Sequence, residues 1–312
     1  MDECTSNDNA LQAPVTSDSD EDNDEMGLEV LFKAEQDPQM LSFDMWGSCR
    51  PKNLQANLEE NRKLKPLRVH ILKLVIDYLD NINVNYFIYG GTALSVYREG
   101  GKMIEHDGDI DIAIFETDFA RAVKNIDCLP AFQNGHVMML HNCSLYQNDW
   151  FDADGNEILF TGSGGKRLKF VAARELLTLF EIGADVSFDL NLVHVDVFTL
   201  GQHPDHPNCF CVNWNIPGHY DYRKKAFPKS IFAPSKTYRF EGIEVNGMND
   251  IKAYLEIEYG YLGLGAIYDS TTQLYVKIPE HLLKTLAFDV QQYFTSNSTC
   301  PDQSPQETEV ME

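Results

Sequence analysis

Apolar positions along this chain change their period from segment to segment, and each change predicts an element. Leu67, Ile71, Leu72, Val75, Ile76 and Leu79 recur at spacings of three and four, which predicts a helix with one buried face across Leu58–Leu79. Pro66 should divide it and start a second piece, since proline suits a first helical turn better than an interior. Val84 to Tyr89 is a continuous apolar run, read as a buried strand, and Gly90-Gly91-Thr92 ends it. Thr92 is expected to open a short helix to Arg98. Beyond the Gly100-Gly101 loop, Asp109 to Phe115 forms a second buried strand, and Thr117 should cap a helix to about Asn125 with Phe119, Ala122 and Val123 inward.

Later segments alternate with a period of two. His136–Leu140, Ile158–Phe160 and Cys209–Trp214 read as strands, and Val186 to Leu200 alternates through Val186, Phe188, Leu190 and Leu192, then Val193, Val195 and Val197. Asn148–Asn156 is acidic and turn-rich, but lacks the spacing and terminal Glu of a calcium loop. Gly162–Arg167 is glycine-rich without the order of a P-loop; it reads as a hairpin with Lys166 and Arg167 near the site at most. Tyr238–Gly242 and Ile243–Val245 form a predicted hairpin. A helix from Asn249 is stopped by Gly260, and a last helix runs from about Pro279 to Phe294. Interleaved strands and helices predict an α/β (α+β) fold, a mixed sheet flanked by helices.

Charge divides the chain. Of 312 residues, 48 are Asp or Glu and 25 are Lys or Arg, a net −23. Residues 1–60 hold 15 acidic against 3 basic residues, a net −12. Residues 1–55 are therefore expected to be a disordered acidic tail, 56–296 the folded domain and 297–312 a polar tail. The acidic balance argues against nonspecific nucleic-acid binding, which needs a basic footprint. Seven scattered cysteines suit a reducing compartment. The sequence shows no signal-peptide core and no apolar run long enough for a membrane span, so a cytoplasmic location is expected.

Candidate chemistry starts at Asp109-Ile110-Asp111. In a strand these carboxylates face the same way and repel unless a cation lies between them, so the pair suggests Mg²⁺ or Mn²⁺. Gly90 and Gly91 allow close backbone approach, and a helix opening at Thr92 turns its N–H groups toward an anion such as a nucleotide phosphate. Lys102 is a further phosphate candidate. His203, His206, Cys209 and Cys211 are zinc-competent types within nine residues, although Cys-x-Cys matches no common zinc module. Arg223-Lys224-Lys225 is the one basic triplet in this acidic chain.

The segment from Val84 to Phe115 resembles the nucleotidyltransferase superfamily and, within it, the LicD/fukutin family. Gly91-Thr-Ala-Leu-Ser-Val-Tyr-Arg98 is similar to that family's G-T-L-L-G-x-x-R, with Ser95 in place of Gly. Ile104-Glu-His-Asp-Gly-Asp-Ile-Asp111 is similar to I-P-W-D-D-D-I-D, with Glu105, His106 and Gly108 departing from it. Tyr238-Arg-Phe-Glu-Gly242 and Tyr254-Leu-Glu-Ile-Glu-Tyr-Gly260 resemble later family blocks. The resemblance implies a nucleotidyltransferase-like fold that moves a phospho-alditol or phosphocholine group from a CDP-linked or other nucleotide donor to a glycan or small-molecule hydroxyl. Asp109 and Asp111 would hold Mg²⁺ (or Mn²⁺). Asp196 in His194-Val-Asp-Val-Phe198 would be the third metal ligand or the base, with Asp189 the competitor. Gly90, Gly91 and Thr92 would cradle phosphate and Arg98 would reach it, unless Arg98 only forms a surface ion pair. His194 shares the face of Asp196. Animal members of this family are Golgi proteins with an N-terminal anchor. Two rival readings stand: nucleotidyl transfer onto a small molecule, protein or RNA, and a non-catalytic binding protein on the same fold.

Overall fold

The computed structural model describes residues 54–126, 137–141, 167–172, 193–212, 224–269 and 272–278, with a few isolated positions and two short strands between them. The acidic tail up to residue 53, Asn148–Asn156, Ile158–Phe160, residues 162–166, Asp189, Arg223 and the segment from 279 onward lie outside the described residues.

Helix α1 (Leu54–Asn81) runs unbroken for 28 residues with Pro66 inside it. The expected division at Pro66 is therefore corrected. An interior proline costs about 3 kcal/mol, but Leu58, Leu64, Leu67, Ile71, Leu72, Val75, Ile76 and Leu79 are all buried. At about 1.5–3 kcal/mol for each buried aliphatic side chain, packing on both sides of Pro66 outweighs the lost hydrogen bond.

The chain continues through β1 (Tyr86–Ile88), α2 (Gly90–Arg98), β2 (Ile110–Phe115), a 3₁₀ turn at Glu116–Asp118 and α3 (Phe119–Lys124). Then follow β3 (Val137–His141), β4 (Arg167–Ala172), β5 (His194–Gln202), β6 (Cys209–Val212), β7 (Asn215–Ile216), β8 (Tyr220–Asp221) and β9 (Phe227–Pro228). Seven of these strands form one mixed sheet in the order β1-β2-β5-β4-β3, with β6 joining the far end of β5 and β9 joining β6. Only β2 and β5 run parallel among the described pairs, which sets Asp111 beside Asp196. On the other side of β5, antiparallel β4 sets Lys169 beside Asp196. The centre of the sheet thus carries charge where its neighbours are aliphatic.

The remaining strands form smaller units. β10 (Lys236–Phe240) and β11 (Ile243–Gly247) make the predicted hairpin. Its two-residue turn, Glu241-Gly242, has φ of 46° and 84°, the left-handed pair that matches strand twist. Helix α4 (Ile251–Tyr259) is capped by Asp250, whose Oδ1 accepts the Ala253 N–H at 3.0 Å, and it stops at Gly260 with φ 75°. β12 (Ala266–Asp269) pairs with β13 (Leu274–Lys277). Among the described residues no helix is long and apolar enough to cross a membrane.

Candidate active site

The glycine turn is built around carboxylates. α2 begins at Gly90, with Tyr89 as its extended N-cap, so Thr92 lies inside the helix and does not cap it. Instead the Asp111 N–H donates to Thr92 Oγ1 at 2.9 Å, and the Tyr89 N–H donates to the Asp111 carbonyl at 3.0 Å. Gly90 has φ 53°, and a Cβ there would fall on the Asp111 carboxylate. A Cβ on Gly91 would fall on the Asp107 carboxylate. Glycine at both positions is therefore required by acidic side chains resting against the start of a helix, where anions are favoured. Ser95, the departure from the family's glycine, donates through Oγ to the Gly91 carbonyl at 2.9 Å and accepts the Ile104 N–H at 3.2 Å. It ties the turn to the loop that delivers Asp107 and Asp109. His106, where the family pattern has Trp, is buried.

Three strands then converge on Asp196. This side chain is almost fully buried and pairs with Arg167, while its Oδ1 lies 3.7 Å from Lys169 Nζ. The His194 Nε2 stands 3.5 Å from Asp196 Oδ2 and 3.7 Å from Asp109 Oδ2. Asp109 precedes β2 and is 34% exposed, which makes it the open side of the cluster. From α1, the buried Arg68 adds positive charge near Asp109 and Asp107. Arg167 also lies 4.9 Å from the centre of the Phe198 ring.

The titration behaviour follows from this crowding. Burial, then the charges of Asp109, Asp196 and Asp107, push Asp111 well above the ordinary carboxylate range, with Arg167 opposing. Burial would also raise Asp196, but Arg167, Lys169 and His194 overcome it and hold its carboxylate below the usual range. For Asp109 the enclosed setting works against ionisation, and the contact with His194 outweighs it, so its pKa falls. For His194 burial is the largest single influence and lowers its pKa, but Asp196 and Asp109 together outweigh it and the opposing Lys169, so its pKa is raised above the ordinary value.

The metal-binding set differs in membership from the expected one. Ligand atoms of Asp109, His194 and Asp196 all lie within 4.8 Å of one another, and these three could hold a metal ion. Asp111 stands beside Asp196 in register but is turned against Gly90, outside that set. The donor set fits a cation: His194 Nδ1 and Nε2 and Asp196 Oδ1 are buried without a hydrogen-bond partner, an arrangement that costs about 1–3 kcal/mol per group unless a ligand satisfies it. Two carboxylates suit Mg²⁺ or Mn²⁺, and the imidazole widens the range toward transition metals.

Arg98 lies at the last turn of α2, where its Nε donates to Glu99 at 2.6 Å and a guanidinium nitrogen donates to the Leu262 carbonyl at 3.4 Å. Lys102 is exposed in the following loop. The zinc expectation is corrected. His203 Nδ1 accepts the backbone N–H groups of Asp205 and His206 at 3.1 and 3.2 Å, and Cys211 is buried. Among the described residues, Asp109, His194 and Asp196 are the one group of three or more metal-competent side chains brought together.

Sequence reading missed Asp107, Lys169 and Tyr254, and placed Arg167 only at the margin. Two cations separated by one apolar residue in Arg167-Leu-Lys-Phe-Val-Ala172 share one face of a strand, and that was the available signal. Tyr254 accepts the Gly90 N–H through its hydroxyl at 3.0 Å, a contact with no local sequence trace.

Compared with known proteins, residues 83–159 match the family model described as LicD/FKTN/FKRP, nucleotidyltransferase domain. The matched stretch contains the glycine turn, Asp107, Asp109 and Asp111; His194 and Asp196 lie beyond it, on β5. No curated protein matches the chain.

Proposed function

We propose, from the premise that residues 83–159 are LicD/fukutin-like, that this chain is a metal-dependent phosphotransferase. It would move a phospho-alditol or phosphocholine group from a CDP-linked donor to a glycan hydroxyl. The observation that carries this reading is the meeting of Asp109, His194 and Asp196 within ligand distance, beside the glycine turn of the matched segment. These three residues would hold Mg²⁺ or Mn²⁺, which supplies charge neutralisation on a transferring phosphoryl group when bound. Thr92 fixes the backbone of Asp111, and Ser95 fixes the loop bearing Asp109, so the carboxylates are held before any ligand arrives. Asp109, on the open side, is placed to meet a donor first. Asp111, whose carboxylate rests against Gly90 beside Asp196 in register, is placed as the carboxylate to take the proton of an attacking hydroxyl.

The family description also names a nucleotidyltransferase domain, which keeps nucleotidyl transfer as a second reading. Products separate the two, because phosphotransfer releases CMP and nucleotidyl transfer releases pyrophosphate. The test is thermal melting with CDP-choline, CDP-ribitol, CTP, ATP, GTP and UTP, each with and without Mg²⁺ or Mn²⁺. A metal-dependent rise with CDP-linked donors that disappears in Asp109→Asn is expected. A rise with a nucleoside triphosphate alone would move the assignment to nucleotidyl transfer.

A further inference from the structure

Asp196 is one carboxylate among three positively charged or protonatable neighbours, Arg167, Lys169 and His194. Arg167 and Lys169 alternate with Leu168 on β4, so both face the same way, and both are buried against this one carboxylate. The same carboxylate belongs to the Asp109, His194 and Asp196 set. Its charge is therefore already matched before a divalent cation arrives, and a cation entering there meets two buried positive side chains with little water to screen them.

The converse holds as well. Once a cation engages Asp196, Arg167 and Lys169 lose part of their counter-charge in a buried setting, where an uncompensated charge is costly. An anion of high charge density resolves both problems. A guanidinium fork and an ammonium beside a divalent cation are the groups that recognise phosphate oxygens. His194 Nδ1 and Nε2 and Asp196 Oδ1, buried and without hydrogen-bond partners, mark the same place as incomplete without ligands.

We propose that Arg167 and Lys169 are the anion half of a two-part site that takes a divalent cation on Asp109, His194 and Asp196 together with a diphosphate group, each ligand replacing the counter-charge the other withdraws. This rests on the metal reading given above. It makes a distinct demand: metal and diphosphate bind with mutual reinforcement, and Lys169 competes with the metal while the diphosphate is absent.

The experiment uses the full chain with Mn²⁺ and inorganic pyrophosphate as probes, with free Mn²⁺ fixed to allow for the complex formed in solution. Calorimetry and the Mn²⁺ paramagnetic resonance signal read binding. Pyrophosphate should tighten Mn²⁺ binding by about tenfold or more, and Mn²⁺ should tighten pyrophosphate binding by the same factor. In Lys169→Met, Mn²⁺ alone should bind about tenfold tighter than in the wild type, and the coupling should fall below about twofold. Lys169→Arg, which keeps the charge, should retain the coupling. Mn²⁺ binding that is indifferent to pyrophosphate in the wild type overturns the two-part site while leaving the metal centre standing, and this measurement needs no variant to fold. Coupling without a melting response to any CDP-linked donor supports the two-part site and removes the donor assignment.

Discussion

Two buried charged networks meet at the glycine turn, and they are built differently. On one side of Gly90, Glu258 on α4 pairs with Lys225 at 3.4 Å, accepts from the Tyr89 hydroxyl at 3.3 Å, and neighbours Tyr254, whose hydroxyl accepts the Gly90 N–H. Each of these contacts has a donor and an acceptor, and acid and base are matched one to one, although the neighbouring Tyr259 hydroxyl is buried without a hydrogen bond. On the other side, Asp107, Asp109, Asp111 and Asp196 crowd against Arg68, Arg167, Lys169 and His194, with His194 and Asp196 left holding polar atoms without hydrogen bonds. A satisfied buried network rigidifies a fold, whereas an unsatisfied one is where a ligand is expected. The contrast assigns scaffolding to the Glu258 side and chemistry to the Asp196 side. It also changes an argument made from the sequence: crowded carboxylates do not by themselves demand a metal here, because the chain supplies its own cations.

The sharpest way to break the comparison is Asp196→Asn. It leaves Arg167 and Lys169 buried without their carboxylate, so it should destabilise by about 4–5 kcal/mol, the upper part of the range for breaking a buried pair. It should also abolish Mn²⁺ binding. Denaturant unfolding and calorimetry check these together; a stable variant that still binds Mn²⁺ would show that Asp196 belongs to neither half. Glu258→Gln should cost somewhat less, about 3 kcal/mol, because Lys225 also donates to the Glu258 carbonyl, which the substitution keeps. Mn²⁺ affinity should stay within about twofold of the wild type, below the loss typical for a group that supports a metal ligand. A larger loss would merge the two networks into one site.

Proton linkage sharpens the same contrast. Asp111, His194 and Glu258 all have folded pKa values raised above their ordinary ones. Between the unfolded and folded values the folded chain holds more protons, so stability falls as pH rises. For the two acids this window opens near the ordinary values of 3.8 and 4.5, and for His194 near 6.5. Asp196 and Asp109 are depressed, so their contribution is present above an ordinary carboxylate pKa and is lost only as pH falls below it. With metal chelated, the melting temperature should therefore decline from about pH 5 to about pH 8. Asp111→Asn should flatten that decline on the site side, and Glu258→Gln on the scaffold side. A melting temperature that climbs steadily toward pH 8 would contradict both assignments.

What was legible in the sequence depended on range. The α1 stripe, the β10–β11 hairpin with its Glu241-Gly242 turn, and the stop at Gly260 are local patterns, and each appeared within a few residues of its expected place. Pro66 misled because propensity is a local cost and the packing that overrode it is not. Asp109 and Asp196 were readable from motif and alternation. Their companions were not: Lys169 reaches Asp196 only through the register of β4 on β5, and the strand preceding it lies at a sequence distance no periodicity spans. Asp111 was expected among the ligands by its spacing from Asp109, but the bare backbone of Gly90 gives its carboxylate a different resting place.

The smallest expected effects separate the two hydroxyls that hold the turn from either side. Tyr254→Phe removes the acceptor of the buried Gly90 N–H, and Thr92→Val removes the acceptor of the Asp111 N–H. Each leaves one buried donor unsatisfied, so each should cost about 1–3 kcal/mol, and by stability alone the two variants should look alike. Binding should tell them apart. Thr92 fixes the strand entrance from which Asp109 and Asp111 project, so Thr92→Val should weaken Mn²⁺ binding by about 10-fold or more, as the loss of a group that orients a ligand does. Tyr254 acts on Gly90 from the scaffold side, and Tyr254→Phe should leave that affinity within about twofold, well short of such a loss. Calorimetric titration of both variants decides it. Equal losses of Mn²⁺ affinity would mean that the turn transmits strain from one network to the other, and that the division between scaffold and site does not fall at Gly90.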